Sequence, residues 1–155
     1  MAKVMFEVVG LDHLVLRVRQ PIRMLDFYCR ILGCKLDREV ADLGFYQVRV
    51  GNQVLDLVDV QGPLGADGGT PDQCKANMDH FCLLVSAFDA EALSAYFRKN
   101  GVIHEPATSR ISAQGEGLSM YVYDPEGNKV ELKGVYLPNN QAHSTSNNPL
   151  DCAEL

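Results

Sequence analysis

The chain is 155 residues long, 46% hydrophobic and 22% charged, with a formal net charge of -6 and a pI near 5.1. A chain of this length buries one adequate core without cross-links, and its acidic balance, with no Lys/Arg cluster, excludes a duplex-binding surface, because phosphate affinity comes from grouped cations. No apolar run reaches about 18 residues, and the opening MAKVMFEVVG lacks the regions of a signal peptide, so no membrane span and a cytoplasmic location are expected.

The first unit spans residues 8–18. Leu14, Leu16 and Val18 alternate there with His13, Val15 and Arg17, which predicts a strand with His13 on the face away from the leucines. Pro21 suits a first helical position, Met24, Phe27, Tyr28, Ile31 and Leu32 keep helical spacing, and Gly33 stands where a left-handed cap is wanted. Residues 34–40, 45–50 and 53–60 read as three strands, giving βαβββ. The stretch 61–77 is rich in Gly, Pro and Asp and predicts a lid-like loop, with Gly65, Gly68 and Gly69 permitting movement.

The same order then begins again. Residues 78–86 predict a strand carrying His80, Cys82 and Leu84 on one face. Asp89 caps a helix bearing Leu93, Tyr96 and Phe97 that ends at Asn100-Gly101. Strands follow at 102–105, 118–123 and 128–134, the last two joined by the turn Asp124-Pro125-Glu126-Gly127. Residues 137–155 are polar and aperiodic and are expected to form a flexible tail. The five cysteines, Cys29, Cys34, Cys74, Cys82 and Cys152, contain no C-x-x-C pair and are read as reduced, mostly structural thiols, with Cys82 a small buried residue.

Local sequence repeats along with the elements. Leu11-Asp12-His13-Leu14 matches Met78-Asp79-His80-Phe81, and Gly51-Asn52-Gln53-Val54 matches Gly127-Asn128-Lys129-Val130. Each half ends in a strand with an acid before a leucine: Asp56-Leu57 and Glu131-Leu132. The first of these strands is one residue longer between its glycine and its acid, and a one-residue slip reverses the face. The leucines decide it: Leu55 and Leu57 on the helix side leave Asp56 facing the other way.

One strand histidine is usually a satisfied core or surface residue. Two at equivalent positions, each opposite the aliphatic face, together with an inward Glu131, make a metal site the better reading. Paired halves would bring His13, His80, Glu131 and Asp56 together. Two imidazoles and a carboxylate with open positions suit Fe(II), Mn(II), Ni(II), Co(II) or Zn(II), and the vacancies would take a chelating substrate. His104 and His143 have no partner at useful spacing.

Across residues 6–136 the chain resembles the vicinal-oxygen-chelate superfamily of glyoxalase I, fosfomycin-resistance transferases and extradiol dioxygenases. The resemblance is carried by Asp12-His13-Leu14-Val15-Leu16-Arg17-Val18, by Asp26-Phe27-Tyr28 to Ile31-Leu32-Gly33, and by the hairpin from Ser119 through Asp124-Pro125-Glu126-Gly127 to Glu131-Leu132. It implies an α+β fold: two βαβββ modules, 6–60 and 78–136, linked by the 61–77 loop and forming a cupped eight-stranded mixed sheet with helices outside. It further implies one divalent metal (Ni, Co, Zn, Mn or Fe) on His13, His80 and Glu131, a small-molecule substrate and a homodimer. Asp56 stands where glyoxalase I usually has Glu, and Arg17 matches an arginine that grips a glutathione carboxylate there. Tyr121 matches a tyrosine that contacts substrate in the transferases and dioxygenases.

Val60 replaces the Asn of the thiol-conjugate enzymes, and Val135-Tyr136-Leu137-Pro138 lacks the transferases' arginine. The activity the resemblance favours is a glyoxalase-I-like lyase or isomerase passing through an enediolate, with Glu131 or Asp56 moving the proton. The alternatives are a small Fe(II) extradiol dioxygenase assisted by Tyr121, and a metal-free protein that sequesters a small molecule.

Overall fold

The computed structural model describes residues 5–135, so the predicted tail at 137–155 lies outside the described residues. The first module comprises β1 (His13–Val18), α1 (Pro21–Leu25) running on into a wider π-helical turn (Asp26–Ile31), β2 (Lys35–Val40), β3 (Phe45–Val50) and β4 (Gln53–Asp59). The second comprises β5 (His80–Val85), α2 (Ala90–Lys99), β6 (Thr108–Ser112), β7 (Gly115–Tyr123) and β8 (Lys129–Gly134). The fold is α+β, and the eight strands form two four-stranded sheets of matching order, β1-β4-β3-β2 and β5-β8-β7-β6. In each, the first strand pairs parallel to the last and the other pairs are antiparallel.

Strand alternation sorts each sheet into an apolar and a polar face. Leu16, Val18, Leu55 and Leu57 join Met24, Phe27 and Tyr28 beneath the first sheet. Phe97, Met120, Val122, Val130 and Leu132 extend the same core under the second. Burying each of these larger side chains stabilises the fold by roughly 1.5–3 kcal/mol, so the shared core is what joins the modules. Helix α2 starts as its sequence predicts, with the Asp89 carboxylate accepting from the Glu91 and Ala92 amides at 3.0 Å each. Gly33, at φ +74°, takes the left-handed position after the first helix.

A polar clasp reinforces the junction. The buried Tyr28 hydroxyl donates to Asp124 Oδ2 at 2.9 Å, and Asp124 Oδ1 accepts from the Glu126 and Asn128 amides at 2.9 Å each. Glu126 Oε1 then accepts from the backbone amides of Arg19 and Gln20, at 2.6 and 2.7 Å. Gln20, the residue preceding α1, makes no side-chain cap of its own. The second module thus satisfies amides at the first module's helix start, where a carboxylate also meets the positive end of the helix dipole.

Two expectations are corrected. Residues 102–105 form no strand, only a single bridge between His104 and Val122; the sixth strand is Thr108–Ser112, displaced past Pro106. Residues 8–12 are not part of β1, and Val8 and Val9 are exposed. The loop glycines Gly65 and Gly68 allow close packing: a Cβ would overlap the Asp59 carbonyl at Gly65 and the Arg17 guanidinium at Gly68.

Candidate metal centre

Strand register decides which side chains share a face. In the first sheet Val15 of β1 lies opposite Asp56 of β4, which lies opposite Gln47 of β3. His13, Val15, Arg17, Gln47 and Asp56 therefore share the polar face, and the longer first strand leaves Asp56, not its neighbours, equivalent to Glu131. In the second sheet Cys82 lies opposite Glu131, and Glu131 opposite Tyr121. His80, Cys82, Tyr121, Lys129, Glu131 and Lys133 share that face.

His80 and Glu131 meet. Nε2 of His80 lies 3.2 Å from Glu131 Oε2, while Glu131 Oε1 is buried with no hydrogen-bond partner. A buried carboxylate oxygen without a donor costs free energy unless something positive completes it. Two ligand atoms at ordinary bond lengths of about 2.0–2.2 Å from one transition metal stand roughly 3–3.4 Å apart, so the pair is spaced as ligands of a single ion. The donor set, one imidazole and one carboxylate, fits the same group of metals. The Tyr121 ring packs edge-on to His80 with centroids 5.1 Å apart.

Each histidine is aimed by the aspartate before it. His13 Nδ1 bonds Asp12 Oδ1 at 2.7 Å, and His80 Nδ1 bonds Asp79 Oδ2 at 2.6 Å; in both, Nε2 is the nitrogen the aspartate does not engage. This is the carboxylate support that metal-binding imidazoles commonly have. The bond to Asp12, with the nearby charge of Asp56, holds His13 above its ordinary pKa. Asp79 is held below the ordinary carboxylate range by its bonds to His80 and to Lys129. Neither aspartate was singled out from sequence, although the repeated Asp-His dipeptide was the signal.

Within one chain these groups form two half-sites. Among the described residues no three His, Cys, Asp or Glu side chains converge as a metal set. His13 senses Asp56, whereas Cys82 senses Glu131 and Lys133. Among the described residues of a single chain the four groups therefore do not form one cluster, and they lie on the polar faces of two separate sheets.

The remaining predicted residues are placed as follows. Asp56 is buried, and its Oδ1 accepts from Gln47 Nε2 at 2.8 Å. Arg17 is tied down: its Nη2 donates to the Gly65 carbonyl at 2.6 Å and its guanidinium abuts Gly68. With Leu64 and Phe45, Arg17 and Asp56 line a 340 Å³ cavity over the first sheet. A larger groove of 580 Å³ between α1 and residues 100–103 contains none of the predicted residues. Cys82, expected to be buried, is exposed on the site face, yet desolvation and the Glu131 charge push its thiol up to about 11. His104 is structural, bonding Ser94 Oγ at 2.8 Å and the Val102 carbonyl at 3.1 Å.

Comparison with known proteins agrees with this fold. The chain is 25% identical over 127 residues to the virulence protein STM3117 of Salmonella typhimurium, covering 79% of this chain and 81% of that one. The fold matches an integron cassette protein from the mobile metagenome of V. cholerae, VCH_CASS1, with TM-score 0.65 and 25% identity, covering 86% of this chain and all of that one. It also matches the lactoylglutathione lyase of Agrobacterium tumefaciens, with TM-score 0.59 and 17% identity over 82% of this chain and 94% of that one, a likeness of fold alone. Residues 10–132 match the family model directly, and the chain belongs to the Glyoxalase/Bleomycin resistance protein/Dioxygenase superfamily.

Proposed function

We propose that this protein is a divalent-metal-dependent, glyoxalase-I-like lyase or isomerase acting on a small substrate with two neighbouring oxygens. The observation that carries the reading is the buried, unpartnered Glu131 Oε1 beside the 3.2 Å His80–Glu131 pair. His80 and Glu131 would hold the ion, with His13 as the third ligand. When bound, the ion would supply Lewis acidity toward the substrate's neighbouring oxygens. Glu131 and Asp56 are the carboxylates that move a proton between the oxygen-bearing carbons, and Gln47 fixes the Asp56 carboxylate by its bond to Oδ1. Tyr121 walls the pocket beside His80.

The third ligand comes from a second copy of the chain. Support lies in the two half-sites, each with an imidazole already aimed by its aspartate and neither sufficient alone. A twofold homodimer that sets His13 of one protomer against His80 and Glu131 of the other makes two equivalent centres.

Elemental analysis of protein purified without chelators, with sedimentation to fix its mass, tests both points. About one nickel, cobalt or zinc per chain in a dimer, lost in His80→Ala, Glu131→Ala and His13→Ala, is the expected result. Metal retained in His13→Ala would remove that ligand. A wild-type chain that stays metal-free after reconstitution would leave small-molecule sequestration as the function. Iron together with oxygen-dependent turnover of a catechol would favour the ring-cleaving chemistry.

A further inference from the structure

The face that carries His80 and Glu131 also carries three cations: Arg110, Lys129 and Lys133. Lys129 is neutralised by Asp79 at 2.9 Å. The other two have no carboxylate in ion-pair contact among the described residues. Lys133 is 3% exposed, and its ammonium donates to the backbone carbonyls of Arg110 and Gly117, at 2.6 and 3.0 Å. A cation buried on carbonyl dipoles alone retains a field that an anion can answer.

Arg110 lies flat. Its guanidinium carbon is 4.0 Å from the centre of the Tyr121 ring, and Lys129 Nζ is 4.9 Å from the same centre. Nη1 of Arg110 is fixed by the Ser119 carbonyl and hydroxyl, at 3.0 Å each, and Ser119 is wholly buried. This anchoring holds the guanidinium by Nη1, and among the described residues its Nε/Nη2 edge makes no hydrogen bond. That edge is a two-donor fork matched to a carboxylate. The ring beneath it is the one that packs against His80.

We propose that Arg110, stacked on Tyr121 and backed by Lys133, binds a carboxylate of the substrate beside the two oxygens presented to His80 and Glu131. The inference rests on the reading of that pair as the place where those oxygens go. It names the substrate class as a carboxylate-bearing vicinal-oxygen compound and makes Arg110 the residue that reads it. Arg17, the arginine expected from sequence to grip an anion, lies on the other sheet, where its Nη2 donates to the Gly65 carbonyl.

Two probes with the same neighbouring oxygens test this: catechol, and 3,4-dihydroxybenzoate, which adds a carboxylate. In metal-free protein, the Arg110 Nε–H resonance, assigned by its loss in Arg110→Gln, should shift with dihydroxybenzoate and not with catechol. In cobalt-loaded protein, calorimetry should show a preference of about tenfold for dihydroxybenzoate, the size of one added charge-assisted contact. That preference should fall below about twofold in Arg110→Gln and be intermediate in Arg110→Lys, which keeps the charge and loses the fork. An unmoved Nε–H resonance, or a preference unchanged in Arg110→Gln, would overturn the proposal. A chain that takes up no metal removes the reading of His80 and Glu131, while the metal-free experiment still decides the role of Arg110.

Discussion

Replacing Glu126 with Ala removes the acceptor of two amides at the start of the first helix. Glu126 Oε1 receives the Arg19 and Gln20 N–H groups at 2.6 and 2.7 Å, and the Glu126 side chain is 3% exposed. Hydrogen bonds to a charged acceptor contribute about 1.5–3 kcal/mol each, but Arg19 and Gln20 are exposed residues whose amides can turn to water, so the lower end applies. The expected loss is about 2–3 kcal/mol. At a urea slope of roughly 2 kcal/mol/M this moves the midpoint down by about 1–1.5 M with the slope unchanged.

Glu126→Gln keeps the oxygen and should lose under about 1 kcal/mol, because a neutral acceptor still serves both amides. Arg19→Ala should change stability by no more than about 0.5 kcal/mol, since the 3.4 Å ion pair involves a side chain that is 45% exposed. If Gln and Ala at position 126 were equally damaging, charge rather than amide capping would be the stabilising feature, and the account of the clasp would fail.

Three further outcomes are expected. Asp89→Ala should cost about 1 kcal/mol in chemical denaturation, because it frees two capped amides at the start of α2. Burial and the Asp124 charge raise the Tyr28 pKa well above 10, so the folded chain holds that proton more tightly than the unfolded one. Its contribution is present below about pH 10 and is lost as pH rises through the folded pKa. Tyr28→Phe should therefore flatten the fall of the urea midpoint between pH 9 and about 11; an equally steep fall would exclude Tyr28 as its source. Glu131→Gln should stabilise the metal-free protein by about 1 kcal/mol by removing the charge of a buried carboxylate whose Oε1 lacks a donor. A variant more than about 1 kcal/mol less stable in chelator would refute that reading.

The strands that alternate a buried apolar face with a polar one, β1, β3, β4, β7 and β8, were legible because each lies half on the core. β6 was not: its Thr108-Ser109-Arg110-Ile111-Ser112 run is an edge strand whose Ile111 points outward, 87% exposed, so the period carries no hydrophobic signal. The face of Asp56 was legible from Leu55 and Leu57, and the strand register agrees. The His80–Glu131 contact followed from the repeat. The separation of the two half-sites did not, since it depends on how the modules dock, and residues that bond across the junction, such as Tyr28, Asp124 and Glu126, read as ordinary helix and turn residues. The cation on Tyr121 was invisible because Arg110 belongs to the strand that the pattern hid.

The clasp also orders events during synthesis. Glu126 follows its amide partners by 107 and 106 positions, and Asp124 follows Tyr28 by 96. Chains emerge from the ribosome N-terminus first, at about 5–20 residues per second, so the first module leaves the tunnel several seconds before its acceptors exist. Through that interval its Tyr28 hydroxyl and helix-start amides depend on water. The second module has no such debt for its own helix, whose cap, Asp89, is local. The N-terminal half therefore waits for the C-terminal half, and a nascent chain stalled before the Asp124–Asn128 turn should remain open to proteases.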